Sequence, residues 1–245
     1  MLLEGKNAVI YGAGGSIGGA VARAFAREDA SLHLAGRSAE PLHGLAAEIR
    51  DQGGTATVAT VDALDEEAVD IHAADVVASA GSIDISLNVI SLGEVFGTPL
   101  ADMTLADYER PIRTATRSTF LTARVAARHM MPRRSGVILF FGGYGQPLRD
   151  FYLGGFQVGL SAVDALRRQL AAELGRYGIR VVTVQSVGIP ESHPSEGDGD
   201  DTPPGLLEHA PTLADVGNVA AFAASDHAAA ITATAINITC GAEVD

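Results

Sequence analysis

Gly12, Gly15 and Gly18 are spaced three residues apart in the stretch YGAGGSIGGAVARAF, between a short apolar run and a helical pattern. This spacing can hold a pyrophosphate. Glycines let the backbone turn tightly and approach phosphates closely, and the first turn of a helix offers unpaired N–H groups and a positive dipole end. Ser16 and Ile17 fall inside the same turn and belong to the same candidate cradle. Further on, in LHLAGRS, Gly36 occupies the place where a carboxylate would hold an adenosine 2′-hydroxyl, and Arg37 follows it. A guanidinium suits a 2′-phosphate and no acid there repels one, so NADP(H) is the expected cofactor in preference to NAD(H). A solvated surface arginine is the plainer alternative. Asp62, in TVDAL, either accepts from an adenine amino group or simply closes a turn.

Other groups could handle protons or anions. The stretch GGYGQPLRDFY carries Tyr144, Arg149, Asp150 and Tyr152. A tyrosine hydroxyl can donate to a substrate oxygen, and an arginine can hold a carboxylate or phosphate or polarise a carbonyl. The structural alternatives are aromatic pocket walls and an Arg149–Asp150 salt bridge. His193 could titrate near neutrality, although an exposed loop histidine accounts for it equally. Asp198, Asp200 and Asp201 briefly resemble a calcium loop, but no glutamate stands at the twelfth position counted from Asp198 or from Glu196, so no metal site is expected.

What must position these groups is an alternating chain. Short β-branched runs at Asn7–Tyr11, Leu32–Ala35, Thr57–Val61, Asp84–Val89, Val137–Phe141, Arg180–Val184 and Ala235–Thr239 read as strands. Segments of helical periodicity fall between them, at Ile17–Glu28, Ala39–Gln52, Glu66–Ala74, Leu105–Met131, Gly155–Tyr177 and Leu213–Ser225. Pro111 should kink the fourth helix or mark its start. The expected fold is a single-domain, doubly wound α/β Rossmann fold over 1–245, a seven-stranded, mostly parallel sheet with helices on both faces and ligand at the carboxyl ends of the strands.

With 245 residues and 47% hydrophobic content the chain can bury one sizeable core. A net charge of −13 excludes a phosphate-binding basic face, hence nucleic acid. No uncharged apolar stretch is long enough for a bilayer, and the N-terminus lacks the features of a secretory signal. The single cysteine, Cys240, excludes an internal disulfide; a buried inert thiol in a cytoplasmic protein is the expectation.

Taken with GSIDISLNVIS, FLTARVAARHMM, SGVILFFGG, FQVGLSAVDALRRQLAAELGRYGIRVVTV and VAAFAASDHAAAITATAINITCGAEVD, these features resemble the short-chain dehydrogenase/reductase family along essentially the whole chain. The resemblance implies a nicotinamide-dependent oxidoreductase acting on a small molecule, a homodimer or homotetramer, and a substrate-covering loop near 187–211. It also implies a catalytic tetrad. There a tyrosine gives a proton as hydride arrives, a lysine four residues later lowers its pKa and holds the ribose, a serine polarises the carbonyl, and an asparagine anchors a water.

Carried over residue by residue, those four positions are Phe156, Leu160, Gly143 and Ala115, none of which hydrogen-bonds or titrates through its side chain. Of the family's Asn-Asn-Ala-Gly only Asn88 survives, followed by Val89, Ile90 and Ser91; Asn88 joins the expected cofactor-binding set. Ser16 resembles an enoyl-reductase branch whose acid would fall at Leu153, next to Tyr152. If helical geometry reaches back through YLGGF, Tyr152 lies one turn before Phe156 on the same face, and Tyr152 and Tyr144 become the candidate proton donors. Three functions stay open. They are an NADP(H)-dependent reductase of a small apolar carbonyl or activated C=C with a non-standard donor, a catalytically silent cofactor-binding homologue, and a non-redox lyase or cyclase.

Overall fold

A computed structural model describes residues 1–143, 152–192 and 205–244. Tyr144, Arg149, Asp150, His193 and the acidic run 196–201 lie outside the described residues. Strands and helices alternate as β1 (Asn7–Tyr11), α1 (Ser16–Arg27), β2 (Ser31–Gly36), α2 (Ala39–Asp51), β3 (Thr55–Thr60), α3 (Glu66–Ala80) and β4 (Ile85–Asn88). They continue as α4 (Leu105–Met130), β5 (Gly136–Gly143), α5 (Phe156–Leu174), β6 (Ile179–Ser186), α6 (Leu213–Ala224) and β7 (Thr234–Asn237). The seven strands form one parallel sheet in the order β3-β2-β1-β4-β5-β6-β7. The chain reverses direction across the sheet between β1 and β4, which puts the ligand crevice beyond their carboxyl ends.

Successive residues of each strand point to opposite faces, and both faces are covered. In β1, Ala8 and Ile10 join the core under α1, α2 and α6 with Phe25, Leu42, Ile49 and Val216. Val9 and Tyr11 join the other core, under α3, α4 and α5, with Val69, Leu121 and Val163. Burial on both sides is why the central strands read as unbroken apolar runs.

Most element ends fall close to the sequence expectation; the end of α3 and the place of Pro111 have local reasons of their own. α3 continues to Ala80 because Val76 extends its buried stripe and an αL glycine, Gly81 (φ 85°), waits beyond it. α4 carries Pro111 as an internal residue, its start being set by Thr104, whose hydroxyl accepts the Asp107 N–H at 3.1 Å. Burial of Pro111 against α5 compensates the backbone bond that its missing N–H forgoes.

Candidate active site

The cofactor cradle is made by backbone. Gly12 has φ 90°, and a Cβ there would lie 2.7 Å from the Val89 carbonyl oxygen, at the end of the neighbouring strand. A Cβ on Gly18 would lie 2.3 Å from the Gly12 carbonyl. Both positions therefore admit only glycine without the turn moving. Gly15 precedes α1 and offers no side-chain cap; its carbonyl accepts the Gly19 N–H at 2.8 Å. The N–H groups of Ser16, Ile17 and Gly18 consequently have no intrahelical acceptor, as anion binding at a helix start requires. A dinucleotide fits this cradle: the backbone donors would hold its pyrophosphate.

Arg37 follows β2, is exposed, and has no ion-pair partner among the described residues. Asp62, exposed after β3, closes a turn by accepting the Leu64 N–H at 3.0 Å. Asn88 is turned into the protein. Its amide donates to Ser118 Oγ at 3.3 Å and Thr122 Oγ1 at 3.2 Å on α4, and its oxygen accepts the Ile90 N–H at 3.1 Å. It shapes the cradle from behind by fixing the turn that carries Val89. Its partners Ser118 and Thr122 carry no local motif and could not be read from the chain.

The four tetrad positions converge in space although their chemistry is absent. Leu160 Cδ1 lies 3.4 Å from where a Cβ on Gly143 would stand. Gly159 packs with Ala115 Cβ 3.3 Å and the Pro111 carbonyl 3.2 Å from its own Cβ position. A Cβ on Gly155 would strike the Tyr108 carbonyl at 1.9 Å, so the first turn of α5 is pressed onto the backbone of α4. The Phe156 ring meets Phe96 edge-on, with centroids 5.6 Å apart. Among the described residues the floor of this end is thus Phe156, Leu160, Gly143 and buried Ala115. It offers no side-chain proton. Ser186, paired with Gly143 across the β5–β6 ladder, has a buried hydroxyl without a partner.

The helical argument for Tyr152 is overturned. α5 starts at Phe156, and both Tyr152 (φ 48°) and Gly154 (φ 56°) are left-handed, so no helical turn reaches back to Tyr152. Gly154 takes this conformation where Met103 and Val95 crowd it, a Cβ there lying 2.6 Å from Met103 Cε. Tyr152 is exposed. Cys240 also departs from expectation: it is only partly buried and has a positive φ of 55°, its Sγ lying 3.5 Å from His209 Nδ1. Burial and Asp215 push its thiol pKa up, which keeps it protonated and unreactive. Of the segment near 187–211, the described ends are tied together, Glu191 Oε2 accepting the Leu213 N–H at 2.7 Å.

Beneath the cradle lies a buried polar cluster with no counterpart in the sequence reading. Tyr11, the residue before Gly12, has its hydroxyl 3.4 Å from His72 Nδ1 on α3, with the rings edge-on at 5.6 Å. His33 on β2 bonds Thr57 through Nδ1 at 2.9 Å and leaves Nε2 buried without a partner. Burial, aided by the charge of Asp70, raises the Tyr11 phenol well above its ordinary value. Burial, then His33, lowers His72 to about 4 against an opposing pull from Asp75, and burial lowers His33 as well. All three are neutral near pH 7.

The family profile described as enoyl-(acyl carrier protein) reductase matches residues 12–243. The chain belongs to the short-chain dehydrogenase/reductase family of oxidoreductases, whose members use a nicotinamide cofactor. Among curated relatives, the 7alpha-hydroxysteroid dehydrogenase of Clostridium sardiniense is 29% identical over 238 residues, 94% of this chain and 90% of its own length. The gluconate 5-dehydrogenase of Gluconobacter oxydans is 29% identical over 179 residues, 73% of this chain and 69% of its own. A dehydrogenase/reductase structure from Sinorhizobium meliloti 1021 superposes with a TM-score of 0.88 at 26% identity, covering 99% of this chain and 96% of that one.

Proposed function

We propose that this protein is an NADP(H)-dependent reductase of a small, largely apolar acceptor, and that any proton the product needs does not come from position 156. The observation that supports this is the glycine-tight cradle lying beside a tetrad patch of Phe156, Leu160, Gly143 and Ala115. The cofactor would supply hydride. The backbone donors of Ser16, Ile17 and Gly18 would hold its pyrophosphate and Arg37 its 2′-phosphate. The apolar patch excludes water and fits an uncharged or weakly polar acceptor face. For a carbonyl or enone acceptor, Tyr144 is the remaining candidate donor. The active unit is a homodimer or homotetramer.

The test is binding of NADPH and NADH by calorimetry, followed by a screen of cofactor oxidation against ketones, enones and imines. NADPH should bind about 10-fold or more tightly than NADH, and Arg37→Ala should erase that difference, as expected for one charge-assisted contact. Equal affinities in the parent protein refute the cofactor assignment. The complete loss of tetrad chemistry favours a second reading, a cofactor-binding homologue without redox turnover or a lyase or cyclase; tight binding with no oxidation of NADPH by any acceptor selects it.

A further inference from the structure

The segment between β4 and α4 carries a charged residue, Glu94, two positions before the ring that meets Phe156. Its Val95 carbonyl lies 3.5 Å from the Cβ position of Gly154, and its Phe96 ring meets Phe156 at 5.6 Å, so residues 93–96 pack on the start of α5. In the same segment half-buried Glu94 has one carboxylate oxygen, Oε2, shut off from solvent with no hydrogen-bond partner. Among the described residues, Arg110, whose side chain lies against Gly93, is committed to Asp107 at 2.6 Å. A carboxylate oxygen shut off from water without a donor costs free energy, and a cation is one partner that offsets it. Two aromatic rings stand in the same small region, and an aromatic face attracts a cation as well.

We propose that Glu94, with Phe96 and Phe156, receives a cationic substrate, and that the hydride acceptor is an iminium ion. This rests on the hydride-transfer reading above and deepens it. A ketone accepting hydride becomes an alkoxide and must be given a proton, which the positions of Phe156, Leu160, Gly143 and Ala115 cannot supply. An iminium carbon needs none. It forms a new C–H bond with the hydride released by the C–H bond of the reduced nicotinamide, while the C=N π pair becomes the lone pair on nitrogen. The iminium is reduced to a neutral tertiary amine, the nicotinamide is oxidised, and no proton enters or leaves. The carboxylate of Glu94 favours binding of the cation, and the overall negative charge of the chain draws cations toward the protein.

The test uses the full chain with NADP(H) and three probes. They are N,N-dimethyl-tetrahydroisoquinolinium as an unreactive cation, tetralone as its neutral ring analogue, and N-methyl-dihydroisoquinolinium as the hydride acceptor. Calorimetry should show the unreactive cation binding at least about 10-fold more tightly than tetralone. Glu94→Gln should abolish that preference with tetralone affinity unchanged. If Glu94→Gln does not fold, the wild-type comparison decides alone, since equal or weaker binding of the cation overturns the proposal. NADPH oxidation by the iminium, faster than by tetralone and enones, is the expected turnover. Reduction confined to ketones and enones overturns the cation class and leaves the reductase reading standing. No oxidation by any acceptor overturns both.

Discussion

At the β1–α1 turn the contacts available to a dinucleotide come from backbone, and a Cβ on Gly12 or Gly18 would strike the Val89 or Gly12 carbonyl. At the start of α5 the contacts a carbonyl reductase needs would come from side chains, and Phe156 and Leu160 make hydrophobic contacts instead. The two ends share one crevice and differ in what a substitution can reach. A cradle built from N–H groups and absent side chains is altered only by adding atoms, at a steric cost. A tetrad built from side chains disappears by replacement while the helix packing stays. Gly155 still presses the start of α5 onto α4 as tightly as any contact in the cradle, and Gly159 packs beside it against Pro111 and Ala115. The packing of α5 on α4 is thus close at an end where Phe156 and Leu160 carry no side-chain proton.

The sharpest way to break this comparison is to add one methyl group at each end. Gly18→Ala should cost about 3 kcal/mol, seen as a loss of roughly 100-fold in dinucleotide affinity. Gly155→Ala should cost a similar amount, seen in melting temperature, because the obstructing atom is backbone of Tyr108. If Gly155→Ala is neutral, the catalytic end is more loosely built than the contact with α4 indicates.

Acid should distinguish the ends next, since the histidine cluster lies beneath the cradle. His72 has a folded pKa of about 4, below its ordinary 6.5, so the unfolded chain binds the proton first. Stability from this site is fully present above pH 6.5 and is lost as pH falls toward 4, about 2–3 kcal/mol in all. His33, lowered by burial, adds loss of the same sign. Denaturant midpoints measured between pH 7 and 4 should fall less steeply for His72→Phe than for the parent; an unchanged slope refutes the assignment.

Restoring the family residues tests the catalytic end directly. Phe156→Tyr with Leu160→Lys places a hydroxyl and an ammonium in a half-buried apolar patch and should cost about 1–2 kcal/mol. Carbonyl reduction should rise less than about 10-fold without Gly143→Ser, because the polarising group is still missing. Robust activity from the double variant would show that the remaining crevice is more competent than its packing suggests. The smallest effect has the opposite sign. Gly44 lies inside α2 with nothing within 4 Å of its Cβ position, so Gly44→Ala should stabilise by about 0.5–1 kcal/mol and leave both ends unchanged.

By itself the chain determined its strand and helix sequence, the two-faced burial of the central strands, the glycine cradle and the apolar residue types at positions 156 and 160. These follow from periodicity and from residue types that act locally: Gly12 can take a positive φ wherever it stands, and Phe156 has no proton to give in any fold. Tertiary structure alone decided what depends on groups far apart in the chain. Asn88 finds Ser118 and Thr122, Tyr11 finds His72, and the segment of Glu94 and Phe96 reaches Phe156 only once α4 and α5 have packed. The same holds for the error at Tyr152. Helical spacing assumes continuous right-handed backbone, and Tyr152 and Gly154 are both left-handed before the helix begins, in a place beside Met103 and Val95 where Gly154 has no room for a side chain. Spacing along a sequence fixes a face only within an element, whereas contacts between elements depend on how the layers close.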